Sequence, residues 1–227
     1  MPRTLNLETH TLRRDSFVEV ARRLIQTKGY EALSIQDVLD ELDASKGAFY
    51  HYFDSKAALL DAVVDRLAAD ATALVTPVLA DPTLSAPDKL KALFAGIARL
   101  KAAQKELVLA IMEVWLSDDN AVVREKTRRI VEERLRPWLE VIVRQGIAEG
   151  IFSTRHPDVT ARLLTSLVQG AQEMAGELWV ARQTGKASFK EVVRTFEAYG
   201  EAFERVLGAA PGTLTFVDEP TLAFWFS

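Results

Sequence analysis

A chain of 227 residues, 48% of them hydrophobic, can form one compact domain or a small domain joined to a larger one. No apolar run approaches the roughly 20 residues of a membrane helix, and MPRTLNLETH lacks the apolar core of a signal peptide, so the expected setting is cytoplasmic, without membrane contact. The absence of cysteine excludes disulfides, thiolate metal sites and cysteine nucleophiles, His10, His51 and His156 are too scattered to suggest a metal motif, and a net charge of -4 excludes bulk attraction to DNA.

Apolar residues recur at three- and four-residue steps almost throughout, which predicts an all-α fold. The first helix carries Phe17, Val20, Ala21, Leu24 and Ile25 on one face, with Arg22, Arg23 and Gln26 opposite, and stops at Gly29. Ser34 with Asp37 three residues on forms a capping box for a short second helix bearing Ile35, Val38, Leu39 and Leu42. Asp43 and Ala44 break it. Ser45 caps a third helix, buried through Phe49 and Phe53 and running to Asp54. A fourth begins near Ser55 and Lys56 and carries Leu59, Leu60, Val63, Val64 and Leu67 toward Pro77, ahead of a linker from Asp81 to Pro87.

Ser85 with Asp88 caps the next helix, with Leu90, Leu93, Phe94 and Ile97, and Leu107, Ile111, Met112 and Trp115 define the one after. From Asn120 to Gly150 the stripe is Val123, Ile130, Val131, Leu135, Trp138 and Ile142, with Pro137 as an expected bend or break. Two long helices follow, Pro157 to Gly185 and Ser188 to Gly208, the second capped by Ser188 with Glu191. In the tail, TLTFV alternates like a short strand, and Leu222, Phe224, Trp225 and Phe226 need a cover.

The segment from Lys28 to Leu60, KGYEALSIQDVLDELDASKGAFYHYFDSKAALL, resembles the DNA-binding signature of the tetracycline-repressor family. Four pieces match in order: KGY, the Ser34 cap, SKGAFYHYF and SKAALL. The match covers about 50 N-terminal residues, and it departs at the turn, where the family commonly has glycine and this chain has Asp43. Aspartate tolerates a left-handed backbone better than most residues.

The resemblance implies a three-helix helix-turn-helix domain over residues 1–56, a linking helix over 55–77, a larger helical ligand-binding and dimerisation domain over 78–208, and a tail over 209–227. A recognition helix is narrow enough to enter the major groove, where Lys46 reaches guanine acceptors or a phosphate, Gly47 permits close backbone approach and Ala48 touches a thymine methyl. The resemblance adds Gln36, and gives phosphate contacts to Tyr50, His51 and Lys56. Ser34, Ser45 and Ser55 place helix N-terminal amides where phosphates bind, and Arg13 and Arg14 are further candidates. Residues 1–60 hold eight Lys and Arg against nine Asp and Glu, so DNA contact has to come from a local patch.

One recognition helix contacts few bases, so a homodimer on a palindromic operator is expected, paired through helices 157–185 and 188–208. By resemblance the middle helices hold a small-molecule effector. Met112, Glu113, Trp115, Trp138, Gln145, Gln169, Gln172 and Glu173 are aromatic or polar residues in apolar helices, the mix that an oriented, largely apolar pocket uses. The expected function is a ligand-responsive transcriptional regulator, a repressor, without cofactor or metal. The alternative is a dimeric helical adaptor or ligand-binding protein without operator binding. With no glycine-rich phosphate loop, GxSxG, HExxH or cysteine, no enzyme is expected.

Overall fold

The computed structural model describes residues 2–116, 121–214 and 217–226, with side chains from Thr9 onward save those of 121–123 and 126. The expected stripe residue Val123, and Thr215 and Phe216 of TLTFV, lie outside the described side chains. Among the described residues there are helices and no strand: α1 (Pro2–Lys28), α2 (Ile35–Leu42), α3 (Lys46–Tyr50), α4 (Lys56–Ala80), α5 (Ala86–Ala103), α6 (Lys105–Leu116), α7 (Ala121–Ala148), α8 (Pro157–Gln183), α9 (Phe189–Leu207) and α10 (Glu219–Phe226). The all-α expectation holds.

Two compact units divide the chain, one of residues 1–70 with 101–127 and the other of 71–100 with 128–227. In the first, Phe17, Ala21 and Ile25 of α1, Val38 and Leu39 of α2, Phe49 of α3 and Leu59, Leu60 and Val63 of α4 form one buried core. Leu107, Ala110 and Val114 of α6 belong to that same core. Arg22 on α1 donates to Gln104 Oε1 at 3.0 Å, fixing the start of α6 by a polar contact as well.

The second unit has two clusters. Leu90 and Leu93 of α5, Leu135, Leu139, Ile142 and Val143 of α7, Ala161 and Leu164 of α8 and Phe203 and Leu207 of α9 make the larger one. The smaller joins Val192 of α9 to Leu222 and Phe226 of α10.

Three sequence expectations change. Pro137 neither breaks nor ends α7, which is continuous across it. Proline costs a helix interior about 3 kcal/mol, whereas each large apolar side chain buried here contributes about 1.5–3 kcal/mol; Leu135, Leu139, Ile142 and Val143 together outweigh the proline. Pro77 likewise lies inside α4, which runs on to Ala80. The buried Lys89 of α5 donates to the Leu79 carbonyl at 2.8 Å, supplying a donor and a cation to a helix end whose last carbonyls have no intrahelical partner. In the tail, Thr213, Leu214 and Val217 are not strand, and the aromatic end is helix α10. Its cover is α8 and α9, and Arg182 of α8 donates from Nε to the Phe226 carbonyl at 3.0 Å.

Candidate nucleic-acid interface

The local signals that start each helix of the first unit are realised as hydrogen bonds. Ser34 Oγ accepts from the Asp37 amide at 3.1 Å, and Asp37 Oδ2 accepts from the Ser34 amide at 2.7 Å, a reciprocal capping box. Lys28 Nζ reaches the same Asp37 oxygen at 2.6 Å. The hydrogen bond from Lys28, then those from the Ser34 side chain and backbone, hold the Asp37 carboxyl well below the usual carboxylate range. The KGY segment is thereby tied to the first turn of α2.

The turn between α2 and α3 requires a left-handed residue, and Asp43 supplies it at φ 47 and ψ 50. Its amide and that of Ala44 bond back to Asp40 and Leu39, closing α2. The glycine common in the family is replaced here without a change of turn, as aspartate's tolerance of this region allows.

Ser45 Oγ then accepts from the Ala48 amide at 3.2 Å and opens α3. One side of this short helix is anchored: Phe49 is fully buried, with Phe17 and Phe53 rings 5.9 and 5.7 Å from it. The other side presents Lys46, Gly47, Tyr50 and His51 to solvent, with Ala48 half-buried. A Cβ on Gly47 would meet only Ser45 Oγ at 3.9 Å, so neither packing nor backbone conformation demands glycine there.

Charge pairing sorts the cations of the unit. Arg22 pairs with Glu19, Arg23 with Glu41 at 2.6 Å, Lys28 with Asp37, and Arg66 with Asp15 and Asp70. Arg13 and Arg14 lie over the Phe17 and Phe53 rings at 5.8 and 5.2 Å. Lys56 lies 4.2 Å from the Tyr30 ring centroid and donates to the Glu31 carbonyl at 3.3 Å, and burial lowers its pKa. Among the described residues from Thr9 to Asp70, Lys46 is the Lys or Arg left without carboxylate, carbonyl or ring. It stands at the leading end of α3, where a major-groove helix makes its base contacts.

A family model described as bacterial regulatory proteins, tetR family, matches residues 17–63, the stretch that builds this interface. Residues 17–63 thus match the DNA-binding segment of the tetR family. A transcriptional repressor named DhaR, from Mycobacterium sp., is 28% identical over 158 residues, spanning 70% of this chain and 79% of that protein. KstR2, a repressor from Mycolicibacterium smegmatis, is 24% identical over 159 residues, or 69% and 74% of the two chains. The crystal structure of a TetR regulator from Haloarcula marismortui superposes with a TM-score of 0.62 at 20% identity, covering 87% of this chain and 97% of that one. Salmonella enterica GusR gives a TM-score of 0.59 at 20% identity, covering 87% and 96%. The match to the family's DNA-binding segment and the likeness to transcriptional repressors support a DNA-binding regulator.

The remaining expected site residues fall as follows. Gln36 is exposed on α2 and donates to Asp40 Oδ1 at 2.6 Å. Ser55 Oγ accepts from the Ala58 amide at 3.1 Å. Of the effector candidates, Met112, Glu113 and Trp115 lie on α6 in the first unit; Trp138, Gln145, Gln169, Gln172 and Glu173 lie in the second. Gln145 is held by the Leu84 carbonyl at 2.9 Å and Glu149 at 2.6 Å, Gln169 donates to the Arg128 carbonyl at 3.0 Å, and Gln172 and Glu173 are exposed. An open groove of about 550 Å³ in the first unit is lined by none of them, but by residues including Leu12, Asp15, Val18, Leu42 and Arg66. Among the described residues no group of three His, Cys, Asp or Glu has metal-binding geometry, and no helix is long and apolar enough to cross a membrane. His10, which sequence reasoning left aside, stands against His51 and Tyr52.

Proposed function

We propose that this protein is a ligand-responsive repressor of the tetR family that grips a palindromic operator as a homodimer and is released by a small, largely apolar effector. The observation that carries the DNA reading is Lys46: the other described Lys and Arg side chains from Thr9 to Asp70 are engaged internally, whereas this one is held out on α3 beside a glycine that the fold does not need. Lys46, Gly47 and Ala48 read bases; Tyr50, His51 and Lys56, the amides behind Ser34, Ser45 and Ser55, and Gln36 hold the backbone. Lys56 reaches a phosphate only by exchanging its place on Glu31 and Tyr30, at a cost that a duplex phosphate offsets.

Residues 1–56 form the reading head and 78–208 the sensing and pairing body. Support for pairing through α8 and α9 comes from Val159 and Leu163, one turn apart on α8 and about half exposed at 50% and 52%. A second copy covering this face gives the two reading heads that a palindrome requires. Effector contact falls to Met112, Glu113, Trp115, Trp138, Gln145, Gln169, Gln172 and Glu173, and a shift of α4 then changes the spacing of the heads, with a coupling of about 1–3 kcal/mol.

The test is selection of bound sequences from a random duplex pool, followed by titration against salt. The expected result is a palindrome whose affinity falls steeply as salt rises, and a Lys46→Ala, Tyr50→Ala variant that keeps its fold and dimer but loses that affinity. Failure of the wild-type protein to enrich any sequence at low salt removes the operator-binding reading.

A further inference from the structure

Two of the chain's three histidines, 41 positions apart in sequence, meet on the surface of the first unit. The His10 and His51 ring centroids are 5.4 Å apart, edge to face. Tyr52 stands against both, 4.7 Å from His10 and 4.9 Å from His51. Both imidazoles are exposed, and among the described residues neither has a carboxylate or carbonyl partner. As packing this arrangement is poor, because two exposed rings exclude little water and repel each other once protonated. As an anion site it is apt: two N–H donors of adjustable charge converge at the end of the helix whose front carries Lys46.

The neighbouring groups favour the same ligand. Arg13 and Arg14 lie three and four residues beyond His10 on α1 and so continue its face, with their guanidinium groups over Phe17 and Phe53. From the α3 side come the Tyr50 and Tyr52 phenols and Asp54, three residues past His51. Two arginines against one carboxylate leave the surround cationic.

We propose that His10 and His51 act as one unit, a paired-imidazole contact for a single backbone phosphate of the duplex that α3 engages. The proposal rests on the DNA-binding reading and adds a residue of α1 to the contact surface. A phosphodiester keeps its charge throughout the physiological range, so its binding favours the protonated pair. Affinity is therefore greatest at low pH and falls as pH rises through the range of about 5 to 8 in which imidazole changes charge. Arginine, lysine, carboxylate and phenol groups nearby do not ordinarily change charge between about pH 6 and pH 8.

The experiment uses full-length protein and a fluorescein-labelled duplex taken from the random-pool selection, with anisotropy titrations at about pH 6 and pH 8. Wild-type protein is expected to bind roughly tenfold more tightly at the lower pH. His10→Phe keeps a ring against His51 and Tyr52 but has no proton to gain; it is expected to lose most of that difference and, at the lower pH, to reduce the salt slope by about one. His10→Arg is expected to hold the tight affinity at both pH values. Should His10→Phe melt early, His10→Gln gives the same comparison with a smaller polar side chain. A wild type indifferent to pH, or a His10→Phe protein with the wild-type pH profile, overturns the proposal while leaving the regulator reading in place. A wild type that binds no duplex at either pH overturns both.

Discussion

Gly47 sets folding against binding within a single residue. An exposed glycine in a helix costs about 0.5–1 kcal/mol relative to alanine, and a Cβ at this position meets nothing closer than Ser45 Oγ at 3.9 Å. Gly47→Ala is therefore expected to raise the stability of the first unit by that amount while weakening duplex binding, since the added methyl stands where a backbone approaches DNA. Thermal melts and anisotropy titrations on one preparation read both effects. A variant that is more stable and binds as tightly as wild type shows that no close approach occurs at α3. Residue-scale readings from sequence succeeded where the chemistry is local, as with Asp43 in the left-handed turn. His10 was invisible because nothing within the 40 intervening positions marks the contact that the fold of α1 beside α3 creates.

At the scale of elements, α2 shows what a cap contributes. Asp37 answers to Lys28, to Ser34 and to the Ser34 amide at once. Its carboxyl is depressed in the folded protein, so its contribution is complete above the ordinary carboxylate pKa of about 4 and is lost as pH falls through the lower folded value. Asp37→Ala is expected to lower the melting temperature at about pH 7, and the gap from wild type to narrow steadily below about pH 4. A gap that stays constant into acid shows that the carboxylate charge contributes nothing. Helix α2 was legible because its whole start signal lies in four consecutive residues. Helix α10 was not: TLTFV suggested a strand, and the true start, Asp218 accepting from the Thr221 amide at 2.8 Å, sat just beyond it. Five apolar residues crowded into eight show no helical period; the burial of Leu222 and Phe226 against α9 and the bond from Arg182 stabilise the helix. For Pro77 and Pro137 the sequence displays the local cost of the ring but not the burial around it.

The whole molecule is organised differently from the order of its motifs. Every piece of the recognised sequence motif lies within residues 28–60, yet the core that supports it is completed by α6, far along the chain. Leu107 is fully buried there and Val114 nearly so. One leucine and one valine of this kind contribute about 1.5–3 kcal/mol each, against a total of roughly 4–12 kcal/mol for a domain of about 80 residues. A fragment ending near residue 80 exposes the apolar surface of α1 that α6 covers, and also loses the Arg22 to Gln104 bond. Such a fragment is expected to melt without a cooperative transition by circular dichroism, despite carrying the whole motif. In the intact chain, Leu107→Ala is expected to cost about 2–5 kcal/mol and to reduce duplex binding from a position that touches no base, with the dimer preserved. Cooperative unfolding of the fragment at the full-length melting temperature would contradict this account, because the reading head would then be independent of the helix that follows α5. The expected loss would also give the proposed effector response a physical route: Met112 and Trp115 share α6 with Leu107 and Val114, so a ligand that displaced them would act on the core beneath α3.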